Sequence, residues 1–324
     1  MKTKIILDTD PGIDDVFAIL FAEAHPDIEL KAITTIYGNV TIENATRNAL
    51  YLEQKFQLQA DIVTGASKPI VRPPVGPTVV VHGEGGFGDV NVPAEVEGQA
   101  DPRPAYQYII DAVKAEPGEI TLVAIGPLTN LALALQADPS IVDLVNKVVI
   151  MGGAFGENGH RGNVTPFAEA NVHDDPHAAD MVLTASWPVV VIGLDVTEQS
   201  FFTRDYLDQL RDNAGDVGQF IWDVSRFYLR FYSEKVGLEA CHVHDPSAIA
   251  YVINPELFTL RAGPIRVVVD GVAEGMTIQK IDDRVYPHDE WMNQAPQQVA
   301  VTVKDAELLE LYRHSIISYA ARMK

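Results

Sequence analysis

The sequence predicts an α/β fold: a mostly parallel, Rossmann-like sheet flanked by helices, with its site at the carboxyl ends of the strands. Wholly apolar runs such as Ile120-Thr121-Leu122-Val123-Ala124-Ile125 read as strands buried on both faces. They alternate with stretches of helical spacing, the rhythm of βαβ units. Polar residues stand directly after several of these runs, at the edge where open α/β sheets bind ligands. No linker, composition break or internal repeat divides the 324 residues, so one domain over 1–324 is expected.

The first apolar run, Ile5-Ile6-Leu7-Asp8-Thr9-Asp10, stops at acids, turns at Pro11-Gly12 and enters a helix whose first turn holds Asp14 and Asp15. Residues 28–36 form a second strand ending at Tyr37-Gly38-Asn39, residues 41–56 have helical spacing, and 61–65 is a short third strand. Residues 68–104 are rich in Pro and Gly and read as a long loop containing His82-Gly83-Glu84-Gly85-Gly86-Phe87-Gly88. The glycines around Phe87 would let it move as a flap or simply shape a surface loop. Ala105–Ala115 is helical, 120–126 is a buried strand, and Pro127 suits the first position of the helix over 131–136. Residues 145–153 repeat the strand pattern, Pro176–Thr184 is helical, and 188–196 is a buried strand finishing at Asp195. Residues 203–235 read as helix with an aromatic stripe, Phe227, Tyr228, Phe231 and Tyr232, which spacing alone assigns to the core. A helix over 247–252 opened by Pro246, β-like runs at 265–269 and 299–303, and an amphipathic helix over 306–323 complete the chain.

Twenty-four Lys and Arg against 45 Asp and Glu leave a formal charge of −21, which argues against nucleic acid or an anionic membrane as partner. A neutral small molecule is compatible with it. No apolar run reaches membrane-spanning length, and the opening run is too short for a signal segment, so a cytoplasmic location is expected. The single Cys241 rules out an internal disulfide and reads as a small buried residue.

Asp10, Asp14 and Asp15 should converge at the end of the first strand. At ~4 Å and an effective dielectric of about 20, each pair of like charges costs roughly 4 kcal/mol, so something positive belongs among them. No Lys or Arg lies between Lys4 and Lys31, which favours a metal ion. An all-oxygen donor set points to Ca²⁺ or Mg²⁺. Asp8, pointing to the other side of the strand, reads as structural.

These residues are joined by His82-Gly83-Glu84, Ile125-Gly126-Pro127-Leu128-Thr129-Asn130, Met151-Gly152-Gly153, Gly162-Asn163 through Asn171, and His244-Asp245-Pro246. In order and spacing the set resembles the calcium-dependent, inosine-uridine preferring nucleoside hydrolases, over almost the whole chain. The resemblance implies that Asp10, Asp15, Asp245 and the carbonyl of Ile125 hold Ca²⁺. It implies that Asp14 and Asn171 bind the 2′- and 3′-hydroxyls of a ribonucleoside, that Asn163 and Glu169 bind the 5′-hydroxyl, and that Asn39 and Met151 line the same site. His82, Tyr228 and Tyr232 would surround the base, which takes those two tyrosines out of the core and leaves Phe227 and Phe231 in it. A homodimer or homotetramer is implied as well.

Cleavage of an N-glycosidic bond builds positive charge on the ribosyl ring and negative charge on the departing base, and a site must answer both. The resemblance gives Asp10 as general base on a calcium-bound water, with inversion at C1′. It gives His244 as acid to the leaving base, a role its reference pKa near neutrality suits. Ala170 departs from the family pattern, which often has a bulky aromatic there, and leaves the pocket wider and the choice between inosine/uridine-type and broad specificity open. His242 has no implied role. The Asp-x-Asp at Asp8 to Asp10 is also similar to the opening of haloacid-dehalogenase-type phosphatases, but Pro11-Gly12-Ile13-Asp14-Asp15 departs from that pattern and no basic residue is evident for a phosphate. A calcium-dependent nucleoside sensor would keep the ribose site without turnover.

Overall fold

A computed structural model describes residues 2–323 and has the α/β class expected. In chain order the first units are β1 (Thr3–Thr9), α1 (Ile13–Ala24), β2 (Ile28–Thr35), α2 (Ile42–Phe56) and β3 (Asp61–Thr64). There follow α3 (Val79–His82), α4 (Ala105–Ala115), β4 (Ile120–Ala124), α5 (Thr129–Ala137), β5 (Lys147–Met151), α6 (Ala170–Asp174), α7 (Pro176–Thr184) and β6 (Val189–Ile192). Then come α8 (Leu194–Thr197), β7 (Phe201–Thr203), α9 (Arg204–Asn213), α10 (Gly215–Phe231), β8 (Ala240–His242) and α11 (Asp245–Ile253). The chain closes with β9 (Phe258–Gly263), β10 (Ile265–Val267), β11 (Thr277–Gln279), β12 (Gln297–Val303) and α12 (Asp305–Arg322).

The main sheet has eight strands in the order β3-β2-β1-β4-β5-β6-β12-β9. Neighbours from β3 to β12 run parallel, and β9 pairs antiparallel with β12 at the edge. The chain winds outward from β1 to β3 in one direction and from β4 to β6 in the other. The crevice between the carboxyl ends of β1 and β4 is therefore the topological switch point, where such sheets bind ligands. Asp10 follows β1 and Ile125 follows β4, so the sheet order itself brings these two residues together. Apolar clusters cover both faces of the sheet, and α1 is buried along its whole length except at Glu23. That burial explains why α1 shows apolar residues on every side rather than one stripe.

Several local expectations are corrected. The strand expected over 188–196 ends at Ile192, and the chain turns at Gly193 into the single turn of α8. Asp195 is thus inside a helix, and its buried carboxylate accepts the backbone N–H of Phe155 at 2.9 Å and of Glu157 at 2.7 Å, pinning the loop after β5. The helical stretch 203–235 is two helices broken at Gly215, whose φ of +50° interrupts the right-handed path, and it ends in a π-turn over Tyr232–Val236. Pro127 precedes α5, with Leu128 in the capping place. The pairs β7–β8 and β10–β11 are three residues to a strand, and the edge strand β9 pairs with β12 from across a long connection, so the sequence pattern alone does not reveal all of them. Among the described residues no helix is long and apolar enough to cross a membrane.

Phe87 is no flap. It is fully buried, with its ring centroid 6.0 Å from that of Phe220 and 6.4 Å from that of Tyr51. Gly86 and Gly88, at φ +92° and +61°, turn the chain sharply around this anchor, a conformation side chains other than glycine resist. Phe87→Ala should lower the free energy of unfolding by about 3–5 kcal/mol through the cavity it leaves. Denaturant titration should show a lower midpoint at an unchanged slope, whereas a mobile flap residue would leave the midpoint nearly where it was.

Candidate active site

A cavity of about 340 Å³ opens at the switch point. Every site residue singled out from the sequence lines it except Asp10 and Asp15, which are buried behind its wall. A larger hollow, about 930 Å³, lies at the opposite edge of the sheet among Lys31, Arg103, Glu116 and Arg322; its charged groups are largely paired with one another and face solvent.

The carboxylates are built into the backbone. Asp10 Oδ2 accepts the amide of Asn39 at 2.6 Å. Gly38 and Gly126 flank the same carboxylate; a Cβ on Gly126 would stand 2.7 Å from Asp10 Oδ1, so only a bare backbone leaves room for the acid. Asp15 accepts from the Thr9 hydroxyl, from the amide of Gly12 at 2.9 Å and from the side chain of Asn39 at 3.0 Å. Oxygens of Asp14, Asp15 and Asp245 lie within 4.8 Å of one another. That trio takes in Asp14, assigned from the sequence to a ribose hydroxyl, while Asp10 adjoins it. Burial, followed by the neighbouring acids, holds Asp10 and Asp245 well above the usual carboxylate range, and burial raises Asp14 to about 6.

Asp10 Oδ1 and Asp14 Oδ1 are buried with no hydrogen-bond partner, and among the described residues no Lys or Arg lines the cavity. A divalent cation fits this donor set: it would engage the unpartnered oxygens and offset the burial, and the repulsion between acids, that hold these carboxyls high. The same absence leaves the phosphatase reading without a partner for phosphate. Asp8 stands apart as expected, accepting from Thr34 Oγ1 at 2.5 Å and Asn130 Nδ2 at 2.8 Å.

The opposite wall comes from α6. Glu169 caps it, taking the amides of Gly153 and Asn171 at 2.9 Å and of Val172 at 3.1 Å. The Asn171 amide group donates to the carbonyls of Ile125 at 2.9 Å and Met151 at 3.1 Å, tying together the ends of β4 and β5. Ile125 keeps a second lone pair, as a carbonyl has two. Asn163 sits at the exposed rim, its Oδ1 accepting the Ala170 amide at 3.0 Å.

Beyond these lies an aromatic end. His82 Nδ1 accepts the Ile13 amide at 3.1 Å, so its proton is on Nε2, and burial pushes its pKa down to about 4. Although that nitrogen is 3.9 Å from Asp14 Oδ1, the ring is neutral and the two are not an ion pair. Its ring stacks on Tyr228 with centroids 5.8 Å apart. Tyr228 OH donates to Asp14 at 3.2 Å, Tyr232 OH lies 3.5 Å from Tyr228 OH, His244 Nε2 lies 3.0 Å from Tyr232 OH, and Thr197 Oγ1 lies 2.8 Å from His244 Nδ1. Because an ionised Asp14 can only accept, the protons run one way, from Thr197 through His244 and Tyr232 to Tyr228. Burial, with His242 and His82 nearby, holds His244 well below the usual imidazole range. The reason the sequence offers for choosing it, a value near neutrality, does not survive folding; its hydrogen bonds supply another.

The family model described as inosine-uridine preferring nucleoside hydrolase matches residues 5–310. The chain belongs to this family. It is 42% identical over 288 residues to the inosine-uridine preferring nucleoside hydrolase of Crithidia fasciculata, covering 86% of this chain and 88% of that protein. It is 37% identical over 316 residues to uridine nucleosidase 1 of Arabidopsis thaliana, covering 97% and 93%. A solved plant nucleoside hydrolase superposes with a TM-score of 0.93 at 35% identity, over 98% of this chain and 99% of that one. As a nucleoside hydrolase the protein is an N-glycosidase that splits ribonucleosides into ribose and free base.

Not all of this nucleoside hydrolase's cavity is legible in its sequence. Phe231, assigned to the core, lines it, as do Glu198, Val236 and His242. Thr197, which orients His244, is not among the residues the motifs single out either. Thr197 and Glu198 follow a buried strand closely, and the same rule that picks out Asp10 could have found them. Ala170 does border the cavity. Gly126→Ala should displace the Asp10 carboxylate and weaken divalent-cation binding by roughly 10- to 100-fold, the usual effect of disturbing a group that positions a ligand. Titration calorimetry with Ca²⁺ checks this; unaltered affinity would show that Asp10 is not held against Gly126 as described.

Proposed function

We propose that this nucleoside hydrolase holds Ca²⁺ on Asp10, Asp15, Asp245 and the Ile125 carbonyl, uses Asp10 as general base, and draws the proton for the leaving base from His244. The observation behind this is that unpartnered carboxylate oxygens and a one-way hydrogen-bond chain stand at two ends of one cavity. Ca²⁺ accepts six to eight oxygens, so four protein donors leave room for sugar hydroxyls, whereas Mg²⁺ at six short distances would be crowded. When bound, the ion would make water more acidic and anchor the ribose diol.

The remaining work falls to side chains. Asp14 and Asn171 bind the 2′- and 3′-hydroxyls, Asn163 and Glu169 the 5′-hydroxyl, with Asn39 and Met151 beside them. Asp10 takes a proton as water attacks C1′ from the face opposite the base, which inverts that carbon. At 3.5 Å the Tyr232 to Tyr228 contact is at the outer limit of hydrogen bonding. Tyr232 can therefore turn its proton to the departing base and take the Nε2 proton of His244 in its place, while His244 gains a proton on Nδ1 from solvent, the equivalent of the one Asp10 releases, so that the ring ends neutral and Thr197 Oγ1 holds it in place. His82 and Tyr228 hold the base from its other side. The named relatives act on inosine and uridine, and with Ala170 widening the pocket an inosine/uridine-type or broader specificity is proposed. A cytoplasmic location, as expected from the sequence, and a homodimer or homotetramer, as the family resemblance implies, belong to the same proposal.

Reducing sugar should appear from inosine and uridine without added phosphate, disappear with a calcium chelator and return with Ca²⁺. Turnover that survives complete chelation would remove the ion from the reaction. His244→Ala should slow inosine by roughly 10²- to 10⁴-fold and a nitrophenyl riboside, whose leaving group needs no proton, far less. Equal losses would make His244 a structural residue.

A further inference from the structure

Glu198 follows α8 and lines the cavity together with Tyr232, His242 and His244. It is placed at the aromatic end by its neighbour Thr197, which holds His244, and not among the residues around Asp14 and Asn171. One of its oxygens, Oε2, lies 2.6 Å from His160 Nδ1, and this contact fixes the carboxylate from the loop that follows β5. The other has no protein donor among the described residues. A carboxylate in this position is an acceptor only. His242 stands beside it with its ring 5.2 Å from that of Tyr232 and 5.4 Å from that of His244, and its buried Nδ1 has no partner. Tyr232 and His244 are given over to the proton delivered to the departing base, with Thr197 holding the imidazole, so the N–H edge of the base calls for a different partner. Glu198 offers a free carboxylate oxygen there, with His242 beside it.

We infer that Glu198 is a specificity-determining residue whose free oxygen accepts the ring N–H of the nucleobase, selecting bases that present an N–H next to a carbonyl. Uracil carries such a group at N3 and hypoxanthine at N1. Cytosine and adenine carry a bare acceptor nitrogen at the matching place, which a carboxylate repels. His242, as a neutral ring with one N–H, complements the adjoining carbonyl. The inference rests on the proposed placement of the ribose against Asp14 and the base against Tyr232, and it adds what distinguishes one base from another.

Glu198→Gln keeps the size and can keep the contact with His160 but offers an amide where the acid was. The ratio of kcat/KM for uridine to that for a nitrophenyl riboside, which has no ring N–H, should fall about 10- to 100-fold, the range for a hydrogen bond to a charged group. The uridine-to-cytidine ratio should fall in the same variant. Either ratio unchanged overturns the inference, whether the variant is fully active or uniformly weakened, because a purely structural role moves all substrates together. Wild-type protein that releases ribose from neither uridine nor the nitrophenyl riboside overturns the underlying reading and the inference with it.

Discussion

Buried like charge governs this structure. Asp10, Asp14, Asp15 and Asp245 are all nearly inaccessible to water, and among the described residues no Lys or Arg lines the cavity they border. Burying even one ionised carboxylate without compensation is costly, and gathering several multiplies the cost. The protein offsets part of it with neutral donors: the Thr9 hydroxyl, the amides of Gly12 and Asn39, and the Asn39 side chain. Those donors leave Asp10 Oδ1 and Asp14 Oδ1 unpartnered, so the compensation is incomplete by design and calls for a cation.

This constraint divides the cavity. Where the strands end, short side chains and glycines bring acids and carbonyls close, and the result is a polar cradle for a sugar. Across from it, α10, the π-turn after it and the residue before α11 contribute Tyr228, Tyr232 and His244, which bury aromatic surface and share one directed set of hydrogen bonds. Oxocarbenium-like charge can develop at one end and anionic charge at the other, each facing groups already oriented for it. Glu198 extends the second half from proton delivery to recognition.

The main strands and helices were legible because their apolar runs are long and bounded by turn residues. β1, α1, β4, α4 and α7 follow directly from that pattern. What misled was local chemistry overruled by distant packing. Phe87 between glycines looks mobile until Tyr51 and Phe220 are brought around it, and the apolar run after Trp187 looks like one strand although Gly193 turns it into α8 so that Asp195 can hold the loop after β5. Phe231 has the spacing of a core residue, yet the turn of the chain after it exposes it to the cavity.

From sequence alone came the α/β class, the acidic strand ends and the residue types a nucleoside hydrolase needs, because periodicity and motif spacing are local properties that survive without coordinates. Tertiary structure decided which oxygens remain unpartnered, which way protons run between Thr197 and Asp14, and that Glu198 lines the same cavity as Tyr232 and His244. Those facts depend on atoms from strands and helices far apart in the chain meeting within hydrogen-bond distance. Burial then reset the pKa values that free side chains would have had: His244 lost the near-neutral value that first recommended it, and Asp14 moved to about 6.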